Sequence, residues 1–349
     1  MSKGKIKILI VDDSAFIRSA LSKMLGSDPQ LQVVGTARDG VEAIDKTLML
    51  KPDVITLDVD MPRMNGLEAL KVIMDKQPTR VIMVSAYTTE GAEETIKALE
   101  LGAIDFIPKN LAESSINILN IKEELILKVK QVAGSKIYRK NGIFEEKREI
   151  SLSDRSLEQA GAEIVTIGSS TGGPRALQEV IPKLPGNFPV PVLIAQHMPA
   201  SFTKVLADRL NQISKVRVKE AEDGEIVEPS TAYIAPGGKH MILLKLRGSK
   251  VKIKLLDGNE NLIYKPSVDL LMMSASDIYT SATLGVILTG MGHDGLKGAQ
   301  RIKQRGGKTI VQDKETSTIY GMPRAVIDAG LADRVLPLYD IALEIVNSV

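Results

Sequence analysis

Short, uninterrupted apolar runs recur along this chain, and each is followed by a polar turn and a helical pattern. In the first third of the sequence these runs occupy residues 6–11, 33–37, 54–57, 81–84 and 104–107. Runs that are continuously apolar, rather than alternating, are typical of strands buried on both faces of a parallel sheet. Five such strands alternating with helices predict a doubly wound, five-stranded parallel α/β domain.

A second group of apolar runs predicts another α/β domain in the C-terminal half. These runs occupy residues 164–167, 190–195, 216–218, 232–235 and 284–288. Residues 241–246 and 251–256 flank a short polar turn and predict a β-hairpin. We therefore expect a C-terminal α/β domain with a mostly parallel sheet and a β-hairpin.

The length of the chain, 349 residues, also favours two domains. Between them, the stretch from about residue 134 to 161 carries mixed charges and few apolar positions, which is typical of a solvated linker. We expect a first domain at residues 1–125, a linker at 126–161 and a second domain at 162–349.

Composition excludes several classes of protein. The chain has no cysteine, which excludes disulfides, thiolate nucleophiles and cysteine-bound zinc. Its formal net charge of +2 gives no general field that would attract nucleic acid or an anionic membrane. We find no signal segment and no apolar run of membrane-spanning length. We expect a soluble, cytoplasmic protein that binds no nucleic acid.

Three carboxylates stand at strand ends of the first domain. Asp12 and Asp13 follow the first strand, and Asp58 follows the third. Carboxylates that converge from neighbouring strands repel one another unless a cation joins them, and Mg²⁺ prefers oxygen ligands of this kind. The pattern predicts a Mg²⁺ site at this edge of the sheet.

A hydroxyl and an ammonium group follow two further strands. Ser85 ends the fourth strand and Lys109 follows the fifth, so both could contact a phosphoryl group on Asp58. Taken singly, these residues have ordinary explanations: Asp12 could cap a helix, and Lys109 could be a solvated lysine. Their occurrence together at four of the five strand ends favours a phosphoryl site.

Residues 5–125 resemble the response-regulator receiver domains of bacteria. The resemblance implies that Asp58 is the phospho-acceptor, and that Asp12, Asp13 and the backbone carbonyl of Asp60 help to hold Mg²⁺. It also implies that Ser85 and Lys109 contact the phosphoryl group and that Phe106 is the switch aromatic. The matching segments are Val11-Asp12-Asp13-Ser14, Leu57-Asp58-Val59-Asp60-Met61-Pro62, Asn65-Gly66, Ser85-Ala86 and Phe106-Ile107-Pro108-Lys109.

The second domain opens with a strand, a serine-containing turn and a glycine-rich helix start. Ser169 and Ser170 occupy the turn, and Pro174 suits the first turn of the helix. Such a turn lies at the carboxyl edge of a parallel sheet, where α/β proteins bind ligands, and free N–H groups there favour negative charge. Either serine could be a nucleophile, and a plain tight turn or a phosphate-binding loop would give the same pattern.

A histidine and an aspartate follow other predicted strands of this domain. His197 follows the strand at 190–195, and Asp294 follows the strand at 284–288. A serine, a base and a carboxylate form the triad that serine hydrolases reach on unrelated folds. The order serine, histidine, aspartate differs from that of the α/β-hydrolases, and their Gly-x-Ser-x-Gly elbow is absent. His240 and His293 compete with His197 for the role of base, and Asp294 could simply cap a helix.

Residues 163–349 resemble the catalytic domain of the chemotaxis protein-glutamate methylesterases. The resemblance implies that Ser170 is the nucleophile, His197 the base and Asp294 its orienting partner. It also makes the Met291 N–H an oxyanion donor and gives Thr171 a part in positioning. The matching segments are Ile167-Gly168-Ser169-Ser170-Thr171-Gly172-Gly173-Pro174, Gln196-His197-Met198-Pro199, Ile234-Ala235-Pro236-Gly237-Gly238-Lys239-His240, Pro266-Ser267-Val268-Asp269 and Thr289-Gly290-Met291-Gly292-His293-Asp294-Gly295.

Together the two resemblances imply a phosphorylation-regulated serine hydrolase of chemotactic adaptation. It would demethylate glutamate methyl esters and deamidate certain glutamines on chemoreceptors, meeting the membrane only through them. A chemotaxis histidine kinase would be the phosphodonor, with Mg²⁺ in the receiver domain and no cofactor in the catalytic domain.

The alternative class is a phosphorylation-controlled binding module, such as a DNA-binding protein. It predicts a short basic helix-turn-helix segment after the first domain. A longer α/β pattern stands there instead, with three catalytic residue types at its strand ends, which favours the enzyme.

Overall fold

Two parallel sheets organise the chain, one in each half. The computed structural model describes residues 4–85, 88–109, 115–135, 161–248, 250–257 and 264–349. The chain divides into two compact units, residues 1–143 and 144–349. The predicted linker falls mainly on residues 136–160, which lie outside the described residues.

The sheet of the N-terminal unit has five strands, all paired in parallel, in the order β2-β1-β3-β4-β5. This confirms the doubly wound, five-stranded sheet predicted from the sequence. The order reverses between β1 and β3, which are neighbours although the chain visits β2 between them. The strands are β1 (Ile6–Val11), β2 (Leu31–Ala37), β3 (Val54–Asp58), β4 (Arg80–Ser85) and β5 (Asp105–Pro108).

Within the described residues, five helices accompany this sheet. They are α1 (Ala15–Gly26), α2 (Gly40–Leu50), α3 (Gly66–Lys76), α4 (Thr89–Glu100) and α5 (Ser115–Ala133). The first four begin at a short polar side chain that accepts a hydrogen bond from a first-turn N–H, which satisfies one of the free donors there; these caps are Ser14, Asp39, Asn65 and Thr88. In α5, Val129 and Val132 are buried in the core of the unit, so its packed part extends beyond residue 125.

The sheet of the C-terminal unit has seven parallel strands in the order β14-β13-β12-β6-β7-β9-β8. Two further strands, β10 and β11, form the predicted antiparallel hairpin. Of these strands, β13 and β14 were not predicted from the sequence. Their bounds are β6 (Ile164–Ser169), β7 (Val192–Gln196), β8 (Arg217–Glu220), β9 (Thr231–Ile234), β10 (Lys239–Lys245), β11 (Val251–Asp257), β12 (Thr283–Ile287), β13 (Lys308–Gln312) and β14 (Arg334–Leu336).

The central strand of this second sheet is flanked by the two strands that carry the other candidate residues. Strand β6 pairs with β7 on one side and with β12 on the other, so the three carboxyl ends lie side by side. The order of strands reverses between β6 and β12, and such a reversal opens a crevice at the carboxyl edge. The helices are α6 (Gly173–Val180), α7 (Ala200–Ile213), α8 (Val268–Tyr279), α9 (Leu296–Gln304), α10 (Met322–Asp328) and α11 (Leu338–Ser348).

None of the helices in the described part of the chain combines the length and the apolarity needed to cross a membrane.

Helix α8 starts unusually close to strand β6. A Cβ atom added at Gly168 would lie 2.2 Å from Cγ1 of Val268, the first residue of α8. Both residues are fully buried, so neither can move aside into solvent. The missing side chain at Gly168 therefore allows the start of α8 to reach the end of β6.

We expect Gly168→Ala to lower the free energy of unfolding of the C-terminal unit by about 1–3 kcal/mol, the usual cost of overpacking a core. Denaturant unfolding followed by circular dichroism measures the change. Gly186→Ala is the matched control, since its added methyl would lie 3.4 Å from the Lys215 carbonyl and meet only ordinary contact. In the Gly168→Ala background, Val268→Ala should recover part of the loss; a double variant with simply additive losses would contradict this explanation.

Candidate active site and candidate phosphorylation site

The turn after β6 holds two serines in different environments. Ser169 is fully buried, and its hydroxyl donates to Gln196 Oε1 at 2.6 Å. Ser170 is partly exposed, and its backbone is fixed, because its N–H donates to the Thr289 carbonyl at 3.1 Å and its carbonyl accepts from Gly173 N–H at 2.8 Å. Only the Ser170 hydroxyl of this pair is therefore open to a substrate.

Gln196, the last residue of β7, links the ends of two strands. Its side chain accepts from Ser169 Oγ and donates through Nε2 to the carbonyls of Ser170 at 2.9 Å and His197 at 3.1 Å. The residue is 1% exposed, so these bonds are shielded from water. Sequence reasoning missed it, since a glutamine at a strand end has no distinctive chemistry. Its place between Ser169 and His197 gives it a positioning part.

The structure pairs His197 with Asp294. His197 Nε2 lies 2.8 Å from Asp294 Oδ2, and both side chains are less than a tenth exposed. Since a carboxylate only accepts, Nε2 carries the hydrogen, and Nδ1 keeps a lone pair. Nδ1 is buried and has no hydrogen-bond partner among the described residues. It is the nitrogen left to accept a proton.

Ser170 lies at the strand end next to His197, without a hydrogen bond between the two side chains within the described residues. The register places Ser169 opposite Gln196, and the His197 N–H donates to the Ser169 carbonyl at 3.0 Å. The two candidates thus follow directly on paired residues of neighbouring strands. Nucleophile–base bonds are often long in substrate-free proteins and tighten when substrate binds.

Asp294 is held by the first turn of α8. Its oxygens accept from the N–H groups of Val268 at 2.8 Å and Asp269 at 2.9 Å, and from Ser267 Oγ at 3.2 Å. Burial by itself would raise the pKa of Asp294, but the bond to His197 and these backbone donors hold it below its ordinary value. The carboxylate therefore stays ionised beside the imidazole.

Asp269 performs the reciprocal task for the next helix. Its Oδ1 accepts from the N–H groups of Gly295 and Gly298, both at 2.8 Å, at the start of α9. Burial raises the pKa of Asp269, and the charge of Asp294 adds to this, against the opposing effect of the two amides. Asp294 thus binds the start of α8, and Asp269, in α8, binds the start of α9. These reciprocal bonds hold the two loops together.

The two competing histidines occupy other positions. His240 is 1% exposed, and its Nδ1 accepts from the Ser267 N–H at 3.1 Å, so it supports the loop that carries Asp294's donors. Burial, and then the charge of Lys265, lower its pKa and favour the neutral ring. His293 is exposed at the surface. Of the three, it is His197 that pairs with Asp294.

Met291 lies in a loop that runs against the serine turn. A Cβ atom added at the preceding residue, Gly290, would lie 2.9 Å from Ser170 Cβ. Within the described chain, the Met291 N–H donates to no backbone acceptor. Thr171 is buried, and its carbonyl accepts from Thr289 Oγ1 at 2.9 Å, which ties the serine turn to this loop.

In the N-terminal unit, the structure brings the three predicted carboxylates together. Ligand oxygens of Asp12, Asp13 and Asp58 all lie within 4.8 Å of one another, with Asp12 and Asp58 buried and Asp13 exposed. Lys109 Nζ lies 2.5 Å from Asp58 Oδ2 and 3.1 Å from Asp12 Oδ2. Four of the predicted residues therefore form one cluster across the ends of β1, β3 and β5.

The cluster holds more negative charge than Lys109 neutralises. Burial raises the pKa of Asp58 to about 6, although the bond to Lys109 opposes this, and the charge of Asp12 adds to it. Burial would lower the pKa of Lys109, but its bond to Asp58 and the charge of Asp12 raise it. An all-oxygen set with an excess of negative charge fits Mg²⁺.

Three other residues were predicted to act with this cluster. Ser85 is buried, and its hydroxyl donates to the Gly91 carbonyl in α4 at 3.0 Å. The Asp60 N–H lies 3.4 Å from Asp58 Oδ1. Phe106 is 4% exposed, with Lys128 Nζ 5.7 Å from its ring centroid. The Ser85 side chain thus binds α4 in this structure, and the Phe106 ring is buried.

Comparison with known proteins places both halves of the chain. Residues 165–345 match the family model of the CheB methylesterase, and residues 8–119 match that of the response regulator receiver domain. The chain is 49% identical over 351 residues to the protein-glutamate methylesterase/protein-glutamine glutaminase of Pyrococcus abyssi, covering 99% of this chain and 94% of that protein. It is 48% identical over 349 residues to the protein of the same name from Thermotoga maritima, covering 100% of each.

A solved structure agrees with the C-terminal half. The crystal structure of the Thermotoga maritima CheB methylesterase catalytic domain matches with a TM-score of 0.53 and 50% sequence identity, covering 54% of this chain and 100% of that one. With its receiver unit first and its serine, histidine and aspartate at the carboxyl edge of the second sheet, the chain belongs to the CheB methylesterase family.

Proposed function

We propose that this protein is a phosphorylation-regulated serine hydrolase of chemotactic adaptation. It converts glutamate methyl esters on chemoreceptors to glutamate and methanol, and it deamidates certain glutamines there. The observation that carries the proposal is the His197–Asp294 pair beside the accessible hydroxyl of Ser170. The full-length similarity to proteins named for these two activities supports it.

In the proposed reaction, Nδ1 of His197 removes the proton of Ser170 as the serine oxygen attacks the ester carbonyl. Asp294, bound to Nε2 at 2.8 Å, holds the ring and stabilises the positive charge that the imidazole acquires. The Met291 N–H donates to the tetrahedral oxyanion, a contribution of about 3 kcal/mol for such a donor in other enzymes.

The tetrahedral intermediate then collapses to an ester on Ser170, which water hydrolyses in a second step. His197 returns its proton to the departing methoxide, so methanol leaves and the glutamyl group stays on Ser170 as an ester. Water, deprotonated by the same nitrogen, attacks this ester, and the imidazolium returns the proton to the Ser170 oxygen as the bond to the glutamyl carbon breaks and glutamate is released. With a glutamine side chain the departing group is ammonia, and the second step is unchanged.

Control is proposed to act through Asp58 as phospho-acceptor, with a histidine kinase as donor. Mg²⁺ would be held by Asp12, Asp13, Asp58 and the Asp60 carbonyl, where it would offset the charge of the phosphoryl oxygens. The cluster of oxygens within 4.8 Å supports this assignment.

Lys109 is already at the cluster and would contact the phosphoryl group directly. Ser85 would reach it only by giving up its bond to Gly91, which changes the start of α4. Phe106, on β5 two residues before the partner of Ser85, is proposed as the aromatic that responds. The nearly two added negative charges bias such an arrangement between two states.

Replacement of the proposed nucleophile should abolish turnover. We expect Ser170→Ala to lower methanol release from methylated receptor membranes by roughly 10⁴-fold or more, as in serine hydrolases that lose the nucleophile. Ser169→Ala removes the neighbouring hydroxyl and should remain active. The reverse result, loss in Ser169→Ala and activity in Ser170→Ala, would assign the reaction to the other serine.

Phosphorylation should stimulate this release. A small phosphodonor with Mg²⁺ is expected to raise the rate several-fold in the wild type. The stimulation should vanish in Asp58→Asn and on chelation of Mg²⁺, while the basal rate of Asp58→Asn persists. Undiminished stimulation of Asp58→Asn would rule out Asp58 as the acceptor.

The metal-free protein should also be stabilised by loss of the Asp58 charge. Burial raises the folded-state pKa of Asp58 from 3.8 to about 6. The protonated side chain is therefore tolerated below about pH 4, and the free energy of unfolding falls as the pH rises through about 6 and the buried carboxyl group ionises. Asp58→Asn should therefore raise the free energy of unfolding by about 1–3 kcal/mol at pH 7.5 and by little near pH 4.

Chemical denaturation in the presence of a chelator measures this difference at the two pH values. Asp75→Asn, an exposed change on α3, is the control and should have little effect at either pH. Added Mg²⁺ should reduce the advantage of Asp58→Asn, since the ion stabilises the wild type. An advantage at pH 7.5 no larger than that at pH 4 would contradict the raised pKa.

A further inference from the structure

Tyr264, on the loop before α8, stacks on the proposed base. Its ring centroid lies 4.3 Å from that of His197, and the two ring planes differ by only 5°. The tyrosine has no part in the triad or in the proposed oxyanion site. Its ring nevertheless covers one face of the imidazole.

The hydrogen bond between His197 and Asp294 does not by itself fix the plane of the imidazole ring. The contact between Nε2 and Asp294 restrains one atom of the ring, and Nδ1 has no partner among the described residues that would restrain the other side. Small rotations about the Cβ–Cγ bond of His197 would tilt the ring and displace Nδ1, and the single bond from Nε2 to Asp294 opposes them at one atom. A flat ring stacked in parallel on the imidazole also opposes these rotations.

The other end of the Tyr264 ring packs against the loop that carries Met291. A Cβ atom added at Gly292 would lie 2.8 Å from Tyr264 Oη, and Gly292 has a φ of 78°, where side chains are rarely accommodated. The tyrosine therefore touches both the base and the loop of the proposed oxyanion donor. Movement of its ring would disturb both.

We propose that Tyr264 is a positioning residue for His197: its ring holds the imidazole in the plane that directs Nδ1 to Ser170, and its electron-rich face favours the imidazolium formed when that nitrogen takes the serine proton. This inference rests on the proposed hydrolase function with His197 as base. The chemistry of an aromatic face toward a cation is the same for phenylalanine and tyrosine, so the ring and not the hydroxyl is assigned the effect.

One charged group contacts His197 directly, and others lie near it in the chain or next to its partner. Asp294 binds it directly, and Asp269 lies behind Asp294 at the starts of α8 and α9. Lys265 follows Tyr264 in the chain, and His293 precedes Asp294. None of these groups changes when Tyr264 is replaced by an uncharged side chain, so a matched series of variants isolates the effect of the ring.

Kinetics of the full chain with methylated receptors provide the first test. We expect Tyr264→Leu to lower kcat about tenfold with KM little changed, and to move the acid limb of the kcat/KM profile about 0.5 pH unit lower, since the imidazolium loses a favourable contact. Tyr264→Phe should keep activity close to the wild type. Tyr339→Leu is the control for loss of a tyrosine elsewhere, since Tyr339, on α11, is 42% exposed.

Nuclear magnetic resonance tests the stack without turnover. The chain has three histidines, so the ring signals of His197 can be assigned with His240→Gln and His293→Gln variants. The tyrosine face should shift the His197 ring protons upfield in the wild type and in Tyr264→Phe, and this shift should be lost in Tyr264→Leu. Matching thermal unfolding midpoints would show that the variants are folded.

Several outcomes would overturn the proposal. Unchanged His197 signals in Tyr264→Leu would show that the stack is absent in solution. An effect confined to KM would assign Tyr264 to substrate contact, and an unmoved acid limb would assign it a purely structural role. Equal loss of activity in Tyr264→Phe and Tyr264→Leu would assign the effect to its hydroxyl. If the wild type itself released no methanol, the proposed function would fail, and the signals of His197 would still decide whether the ring is stacked.

Discussion

Both halves of this protein depend on one constraint, that the carboxyl ends of parallel strands gather at one edge of a sheet. In the first sheet the strand order reverses between β1 and β3, which brings Asp12 beside Asp58. In the second it reverses between β6 and β12, which brings the turn of Ser170 beside the loop of Met291. A crevice at such a reversal is where α/β proteins bind ligands. Each candidate site stands at such a reversal.

The two sites bury a carboxylate in opposite electrostatic settings. Asp294 meets backbone donors at the start of α8 and the ring of His197, so its pKa is held low despite burial. Asp58 meets one ammonium group and the charge of Asp12, so burial prevails and raises its pKa to about 6. The first carboxylate is already satisfied and suits a fixed orienting role. The second is left with excess charge in its surroundings and suits a site completed by a cation.

The candidate active site is kept in place by groups that do not react. Gln196 joins the ends of β6 and β7, and the reciprocal hydrogen bonds of Asp294 and Asp269 join α8 to α9. The ring of Tyr264 stacks on that of His197, which these hydrogen bonds do not hold in plane. Such prior ordering matters because reacting groups displaced by about 1 Å can cost a hundredfold in rate.

Local sequence patterns were sufficient to predict the two α/β units, the hairpin and the residue types at the strand ends, because apolar periodicity and strand-end chemistry are local properties of the chain. These patterns did not predict β13 and β14, and residue chemistry could not choose between Ser169 and Ser170 or among the three histidines, which only the family resemblance assigned. Tertiary packing decided these points: it buried the Ser169 hydroxyl against Gln196 and His240 against Ser267, and it turned Nε2 of His197 to Asp294. Gln196, Asp269 and Tyr264 act through contacts across separate loops and strands, and no local pattern records which residues such contacts will join.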